Sequence, residues 1–288
     1  MKQKKTKFQR IPALLLAAAL ILTLAGCGSH DFDSYRPITD VNHLEGRKIG
    51  VNLAWSADYL LSERDDVILY RYDELSDMLM ALCFKQLDAV AIDYVSGVYI
   101  MAKTQGLHKV EQNLAEEGYI VVFNREREAL CEEFNAWLTD YMTTEEYAAW
   151  KQRILDFDGD NYEPQIPEQT GTGSVIRCAT YLDNYPLSYM DAAGNQLGFD
   201  MELMIAFANA RNYRLDITMT SETDMESGLF VGRYDLDFSS LSELYAEDYR
   251  VNGFFVSDDY ITLPICILEI AEGEELKISG VVEAWGEE

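Results

Sequence analysis

Two series of alternating strands and helices, separated by an acidic segment, constrain the fold of this chain more than any other feature. In the earlier series, short β-branched runs alternate with apolar residues at helical spacing. Strands are predicted at 47–52, 67–72, 88–93 and 118–124, and helices at 74–86, 95–105 and 126–155, the last broken where Thr144 caps a second helix. Such alternation predicts an α/β fold with mostly parallel sheets covered by helices.

The later series begins after residues 157–174, which hold two of the six prolines and end in Gly, Thr and Ser. That composition is typical of a linker. Strands follow at 175–180, 213–219, 235–240 and 260–270, and a helix is predicted near residue 200 with Asp200 as its N-cap. The sequence therefore predicts two α/β modules, 43–156 and 175–270, with an acidic tail at 271–288.

The N-terminus has the pattern of an export signal. Five basic residues precede an apolar run over 13–24, which is shorter than the roughly 20 residues that a membrane span needs. The run ends in Leu24-Ala25-Gly26-Cys27, a lipobox in which Cys27 takes a lipid before cleavage. A plain signal peptide or an uncleaved anchor with an incidental cysteine is the alternative. We expect a signal peptide at 1–26, a linker at 27–42, and a bacterial lipoprotein on the extracellular face of the membrane.

The net charge argues against two classes of partner, and the histidines and cysteines bear on metal binding and disulfides. The formal net charge of −27 repels nucleic acid and anionic headgroups, although it identifies no ligand and suits a solvated surface. Three histidines without metal-site spacing predict neither a metal nor another cofactor. Four cysteines lie in apolar sequence contexts, so we expect buried free thiols. A disulfide between two of them is the alternative, because the chain is expected to be exported. These cysteines are Cys83, Cys131, Cys178 and Cys266.

Several motifs of the later half occur in a recognisable order. They are Tyr-Pro after a strand, GNQLGFD before a helix, GRYD, a serine pair, an arginine, and SDDY. This ordered set resembles the first lobe of the extracellular solute-binding proteins of family 3, which serve polar amino acid ABC transporters. The resemblance covers about 90 residues, and no single motif in it is specific.

The earlier half resembles the second lobe of the same family. HLEGRKIGVN is similar to its entry strand, LMALCFKQLDAVAID to its central segment, and EGYIVVFN to its late strand. The resemblance implies a two-lobed type 2 periplasmic-binding-protein fold whose lobes follow each other in permuted order. Domain termini commonly lie close together, so residues 157–174 can join the former ends. We therefore expect residues 261–270 to run toward residues 40–45.

The resemblance implies that the chain captures a small polar solute, expected to be an amino acid, between its lobes for an ABC importer. We expect the protein to be a monomer and to bind the permease of an ABC transporter. Arg250 corresponds to the arginine that binds the carboxylate, and Asp93 to the aspartate that binds the ammonium. Each residue also has an alternative role that is structural only. Arg250 could form an ordinary surface ion pair, and Asp93 could be the N-cap of a helix.

Six further residues occupy ligand-facing positions of the family. Ser242 and Ser240 correspond to groups beside the carboxylate, but each also suits a turn after the strand. Ser56 lies at a helix start that resembles an anion site, and a plain N-cap explains it as well. Tyr181, Asn184 and Tyr185 lie in the first turn of the later module. In the family, this turn places an aromatic ring over the ligand. Partial burial also explains these tyrosines.

Departures from the family pattern fall in the pocket. Between Ser242 and Arg250 lie about three more residues than usual, with Glu247 where a threonine precedes the arginine. A sensory or scaffolding lipoprotein with altered or lost ligand binding is therefore an alternative. Some dehydratases resemble these binding proteins, but no nucleophile–base pair is evident, so no enzymatic activity is expected.

Overall fold

The computed structural model describes residues 37–278 apart from residue 182. The signal segment with Cys27 and the acidic residues 279–288 lie outside the described residues. The described elements alternate largely as the sequence predicts. The helices are α1 (Ser56–Ser62), α2 (Leu75–Cys83), α3 (Tyr94–Lys103), α4 (Glu128–Tyr141), α5 (Glu145–Leu155), α6 (Phe199–Ala210), α7 (Glu222–Phe230) and α8 (Ala246–Val251). The strands are β1 (Lys48–Asn52), β2 (Ile68–Tyr72), β3 (Ala89–Asp93), β4 (Thr104–Gln105), β5 (Leu107–Lys109), β6 (Ala115–Phe123), β7 (Val175–Tyr181), β8 (Asp183–Asn184), β9 (Ser188–Met190), β10 (Gln196–Leu197), β11 (Arg214–Thr220), β12 (Leu236–Ser242), β13 (Phe255–Val256), β14 (Ile261–Ile270) and β15 (Lys277–Ile278).

The two modules build their sheets in the same order. In the earlier module β2, β1 and β3 are parallel neighbours, and β14 pairs antiparallel with β3 and with β5. In the later module β11, β7 and β12 are parallel neighbours, and β6 pairs antiparallel with β12 and with β13. Each sheet is therefore mixed and mostly parallel. This confirms the α/β fold class and agrees with the expected two-lobed type 2 arrangement.

Each module contributes one long strand to the sheet of the other. β6 follows the earlier series in sequence but lies in the later sheet, and β14 does the reverse. The two strands pair with each other from Tyr119 opposite Ile261 to Ala115 opposite Ile265. The modules are consequently joined by two antiparallel strands that continue into both sheets.

The predicted course of residues 261–270 is confirmed. The backbone N–H of Ile38 donates to the carboxylate of Glu269 at 3.1 Å. Ile265 and Ile267 lie in one apolar cluster with Val41 and Leu44. The end of β14 therefore lies against the start of the earlier module.

The helical region 126–155 packs differently from its predicted place in the module 43–156. The ring of Phe134 on α4 lies 5.0 Å from that of Phe207 on α6, and Trp137 lies 5.3 Å from the same ring. Trp150 on α5 donates its indole N–H to the carbonyl of Phe199 at 3.1 Å. These helices cover the later sheet because β6 carries the chain across before α4 begins. Periodicity shows which helix face is buried but not which sheet buries it.

The segment 157–174 contains no helix or strand, yet it is attached along the later module. The N–H groups of Gln165 and Thr170 each donate at 2.8 Å to side chains of α6. A Cβ at Gly171 would lie 1.8 Å from the carbonyl oxygen of Tyr213. Glycine at this position lets the segment approach the later module closely.

Two further expectations are tested by the described residues. The four cysteines Cys83, Cys131, Cys178 and Cys266 are free thiols, and all but the half-buried Cys83 are buried. Thr144 caps α5 as predicted, its hydroxyl accepting from Tyr147 N–H at 3.1 Å. Over residues 37–278, no helix has the length and apolarity that crossing a membrane requires.

Replacement of Phe207 by alanine tests the packing of α4 on the later module. Phe207 is fully buried and contacts both Phe134 and Trp137. We expect Phe207→Ala to lower the free energy of unfolding by about 3–5 kcal/mol, because it removes a buried ring and leaves a cavity. Chemical denaturation measures this change.

Phe84→Ala is the matched control, since Phe84 is 63% exposed. It should change the free energy of unfolding by no more than about 0.5 kcal/mol. Equal effects of the two substitutions would contradict the placement of Phe207 in the core.

Candidate functional site

A cavity of about 560 Å³ lies between the two modules, where β6 and β14 cross. The earlier module contributes the turn after β1 and the end of β3, whereas the later module contributes the end of β12 and the segment that follows it. β6 supplies Glu117 and Tyr119 to the same wall. The cavity therefore draws residues from both modules and from the strand that connects them.

Six of the eight predicted ligand-binding residues line this cavity. They are Asp93, Ser56, Ser240, Ser242, Tyr181 and Asn184. These positions come from separate parts of the chain, which the fold brings to one place. Tyr185 and Arg250 are not among the lining residues.

The structure places Arg250 outside the cavity. Its neighbours Tyr245, Asp248, Tyr249 and Asn252 line the wall at three- and four-residue spacing, which defines one face of α8. Arg250 lies on another face and is exposed. Burial raises the pKa of the Cys131 thiol on α4 to about 11, and the positive charge of Arg250 partly lowers it. The guanidinium of Arg250 therefore lies on the side of α4. The predicted place of Arg250 in the ligand site is therefore not observed.

No ion pair of Arg250 is found among the described residues, so the surface-pair alternative is not observed either. Tyr185 fits its packing alternative. Its ring lies 4.9 Å from that of Tyr189 and 5.4 Å from that of Tyr99. It forms part of an aromatic cluster between the modules rather than part of the cavity wall.

Asp93 combines the two roles considered for it. Its carboxylate accepts from the N–H of Ser96 at 2.9 Å and caps α3, as the structural alternative predicts. It also lines the cavity. Burial raises the pKa of Asp93, while the hydrogen bonds from Ser96 oppose that rise. The cap therefore holds a carboxylate in a fixed position at the cavity wall.

The three predicted serines line the cavity with their hydroxyls already engaged. Ser242 accepts from the N–H of Leu244 at 3.2 Å, as expected of a turn residue. Ser240 donates to Asp200 at 2.6 Å. Ser56 is the first residue of α1 rather than its N-cap, and it donates to Glu117. The anion site expected at this helix start thus faces a carboxylate.

Asp200 is a buried acid and not the predicted N-cap. The cap of α6 is Gly198, whose φ of 132° is readily adopted only by glycine. Asp200 lies in the first turn, where it accepts from Ser240 and from the hydroxyl of Tyr260 at 3.0 Å. Burial raises its pKa to about 7, and these two hydroxyls oppose that rise.

Glu117 is a central residue of the cavity wall that was not among the predicted ligand-binding residues. It is 1% exposed, and its Oε1 accepts from Ser56. Its Oε2 is buried without a hydrogen-bond partner among the described residues. Burial raises the pKa of Glu117 to about 7, although nearby hydroxyls, first that of Ser56, lower it. Alternation along β6, which places Glu117 on the face opposite Glu116, was the available signal.

The cavity wall is acidic. Five carboxylates line it, and the described lining residues include no lysine, arginine or histidine. Asp237 is 3% exposed and accepts from the hydroxyl of Ser239 at 2.7 Å. The five are Asp93, Glu117, Glu226, Asp237 and Asp248. Such a wall attracts positive charge and disfavours a carboxylate ligand.

Tyr245 links the later module to the earlier one at the cavity. Its hydroxyl donates to the carbonyl of Ala54 at 2.7 Å, and its ring lies 5.4 Å from that of Tyr59. Tyr245 belongs to the short 3₁₀ helix Glu243–Tyr245, which lies between Ser242 and Arg250 in the sequence. This short helix therefore provides a contact across the cavity.

The described residues of 37–278 contain no group of three or more histidine, cysteine, aspartate or glutamate side chains placed to hold a metal ion.

The raised pKa of Asp200 predicts how stability depends on pH. Its folded-state pKa of about 7 exceeds the ordinary value of 3.8, so its stabilising contribution is complete below about pH 4 and is lost as pH rises through 7. Over this pH range, we expect the free energy of unfolding of the wild type to fall by up to about 4 kcal/mol more than that of Asp200→Asn. Thermal and chemical unfolding between pH 4 and 8 measures the difference.

Asp216→Asn is the matched control because it removes an exposed carboxylate of the same module. The stability of Asp216→Asn should depend on pH as that of the wild type does. If Asp200→Asn keeps the wild-type slope as well, Asp200 is not protonated in the folded chain.

Comparisons with known proteins give fold-level likenesses only. No family model matches the chain, and no curated protein matches it. The solved structure of CbnR with its target DNA is 13% identical, with 91% of this chain and 75% of that one covered and a TM-score of 0.42. An ancestral amino acid-binding protein, a precursor of cyclohexadienyl dehydratase, is 10% identical over 79% and 82%, with a TM-score of 0.40. The probable amino-acid ABC transporter extracellular-binding protein ytmK from Bacillus subtilis is 10% identical over 80% and 86%, with a TM-score of 0.39. At such values these likenesses carry no argument about ligand or activity.

Proposed function

We propose that this chain is a lipid-anchored extracellular solute-binding protein that captures a small polar solute between its modules. The observation that carries the proposal is the cavity of about 560 Å³ whose wall combines residues from both modules with the crossing strand β6. Its volume is within the range of small-molecule sites. A ligand held there contacts both modules at once and therefore favours their closed arrangement.

Closure has a structural basis in this chain. The two crossing strands leave the modules connected at one end, and Tyr245 contacts Ala54 and Tyr59 across the cavity. A solute between these points would stabilise the same arrangement that Tyr245 stabilises. We further propose that the closed chain is recognised by an ABC importer permease, that it acts as a monomer, and that it has no enzymatic activity.

The amino-acid ligand implied by the resemblance depended on Arg250. An amino acid carries a carboxylate, and burying that charge without a cationic partner is costly. Since Arg250 lies outside the cavity and the described lining residues include no other cation, the proposal here is limited to a small polar solute.

Thermal unfolding of the full-length chain in detergent tests the proposal. The panel contains amino acids, amines, sugars and carboxylic acids. We expect at least one member to raise the melting temperature saturably, because a ligand at a hundred times its Kd adds about 2.7 kcal/mol to stability. Trp55→Ala, which alters a cavity-lining ring, should weaken that ligand at least tenfold.

Leu53→Ala provides the control, because Leu53 is also exposed and lies two residues away but does not line the cavity. It should bind as wild type does. A panel with no effect would favour the sensory or scaffolding alternative with lost ligand binding.

Membrane attachment is tested separately through Cys27. The lipid on this thiol should carry the wild-type chain into the detergent phase of a Triton X-114 extraction, since its acyl chains add apolar surface. Cys27→Ser should lose the lipid. Because the lipid precedes cleavage, the Cys27→Ser chain also keeps the apolar run over 13–24 and stays in the detergent phase, so incorporation of radioactive palmitate is the deciding readout. A wild-type chain that takes up no label would contradict the lipoprotein assignment.

A further inference from the structure

We propose that the cavity binds an organic cation, a small protonated amine that carries no carboxylate. The inference rests on the proposed solute-binding function and names the class of solute. It arises from hydrogen-bond acceptors without partners, from the charge of the wall, and from the aromatic rings beside them.

Two buried acceptors in the cavity wall lack partners. Glu117 Oε2 and Asn52 Oδ1 belong to side chains that are 1% and 5% exposed, and neither atom has a hydrogen-bond partner among the described residues. Both side chains line the cavity. Leaving a buried acceptor unsatisfied costs about 1–3 kcal/mol, so a ligand that donates hydrogen bonds here recovers that cost. An ammonium group is a donor without any acceptor atom.

The charge of the wall selects the sign of the ligand. Asp93 lies on the earlier module, Glu117 on the crossing strand, and Glu226, Asp237 and Asp248 on the later module. A ligand with ammonium groups pairs with these carboxylates. The carboxylate of a zwitterion would instead lie among like charges with no lysine, arginine or histidine in the described wall, which is unfavourable.

Aromatic rings in the same wall are suited to a cation. Trp55, Tyr119, Tyr181 and Tyr249 all line the cavity with the carboxylates. The face of such a ring attracts ammonium and quaternary ammonium groups, and desolvation strengthens that attraction. Because carboxylates come from both modules, a diamine can pair with both and so favour their closure.

Pairs of compounds that differ only by a carboxylate test the inference. Cadaverine is lysine without its carboxylate, putrescine is ornithine without it, and agmatine is arginine without it. The full-length chain in detergent is titrated with each pair by calorimetry and by thermal unfolding. We expect at least one amine to bind at least tenfold more tightly than its amino acid.

Two variants locate the binding. Glu117→Gln removes the charge with little change in shape, and Asp93→Asn keeps a residue that can cap α3. Each should weaken the bound amine at least tenfold. Glu247→Gln is the matched control, since Glu247 is exposed and does not line the cavity, and it should leave the affinity unchanged. Thermal unfolding of each variant without ligand verifies its fold.

The pH dependence separates pairing with Glu117 from a purely structural role. The groups around Glu117 are the carboxylate of Asp93, the phenol of Tyr119, and the hydroxyls of Ser56 and Ser242. The carboxylates of Glu243 and Asp259 lie against the neighbouring Gly118. Burial raises the pKa of Glu117 to about 7, and an amine binds the ionised form. Affinity should therefore increase about tenfold from pH 6 to pH 8, and Glu117→Gln should lose this increase.

The outcomes are distinguishable. Tighter binding of the amino acids than of the amines would overturn the cation inference and leave solute binding intact. Amine binding that Glu117→Gln and Asp93→Asn do not change would place the amine elsewhere and also overturn it. If neither these pairs nor the wider panel binds, the proposed function fails as well. Stabilisation by Ca²⁺ or Zn²⁺ alone, with no amine effect, would contradict the organic character of the ligand.

Discussion

The pairing of β6 with β14 is the interaction on which the rest of this structure depends. Each strand belongs in sequence to one module and in space to the sheet of the other, and their ladder joins the two sheets. Because the exchange is reciprocal, neither module completes its sheet without the other part of the chain. The same crossing brings α4 and α5 onto the later module and forms the floor of a cavity that both modules line.

The crossing also determines the electrostatics of that cavity. Glu117 lies on β6 opposite Leu263 of β14, where strand pairing holds its carboxylate away from solvent. One of its oxygens is bound by Ser56 and the other lacks a partner in the described residues. We propose that this buried acid at the joint between the two modules links the charge of a solute to module closure. The hydroxyls of the predicted serines are mostly used in holding such acids and turns.

Sequence patterns predicted the fold more accurately than the site. Strands and helices followed from periodicity. Asp93 was proposed from the family resemblance, and it ends an apolar strand before a helix, where a cap and a cavity residue coincide. The place of Arg250 was not predicted correctly because motif order gives a position along the chain and does not show which face of α8 a residue occupies. Glu117 was missed because the predicted strand began at Gly118, whereas β6 begins at Ala115 and includes Glu116 and Glu117, of which only Glu117 is buried. The packing of α4 and α5 was misassigned because chain continuity does not reveal a crossing strand.

A crystal structure of the full-length chain grown with cadaverine tests the central claim most directly. The account predicts density for the diamine between the modules, with one ammonium within hydrogen-bonding distance of Glu117 Oε2 and near Asn52. It also predicts that β6 pairs with β14 beneath the ligand. A diamine bound on the outer surface, an unpaired Glu117 beside an empty cavity, or modules joined without the strand exchange would contradict it.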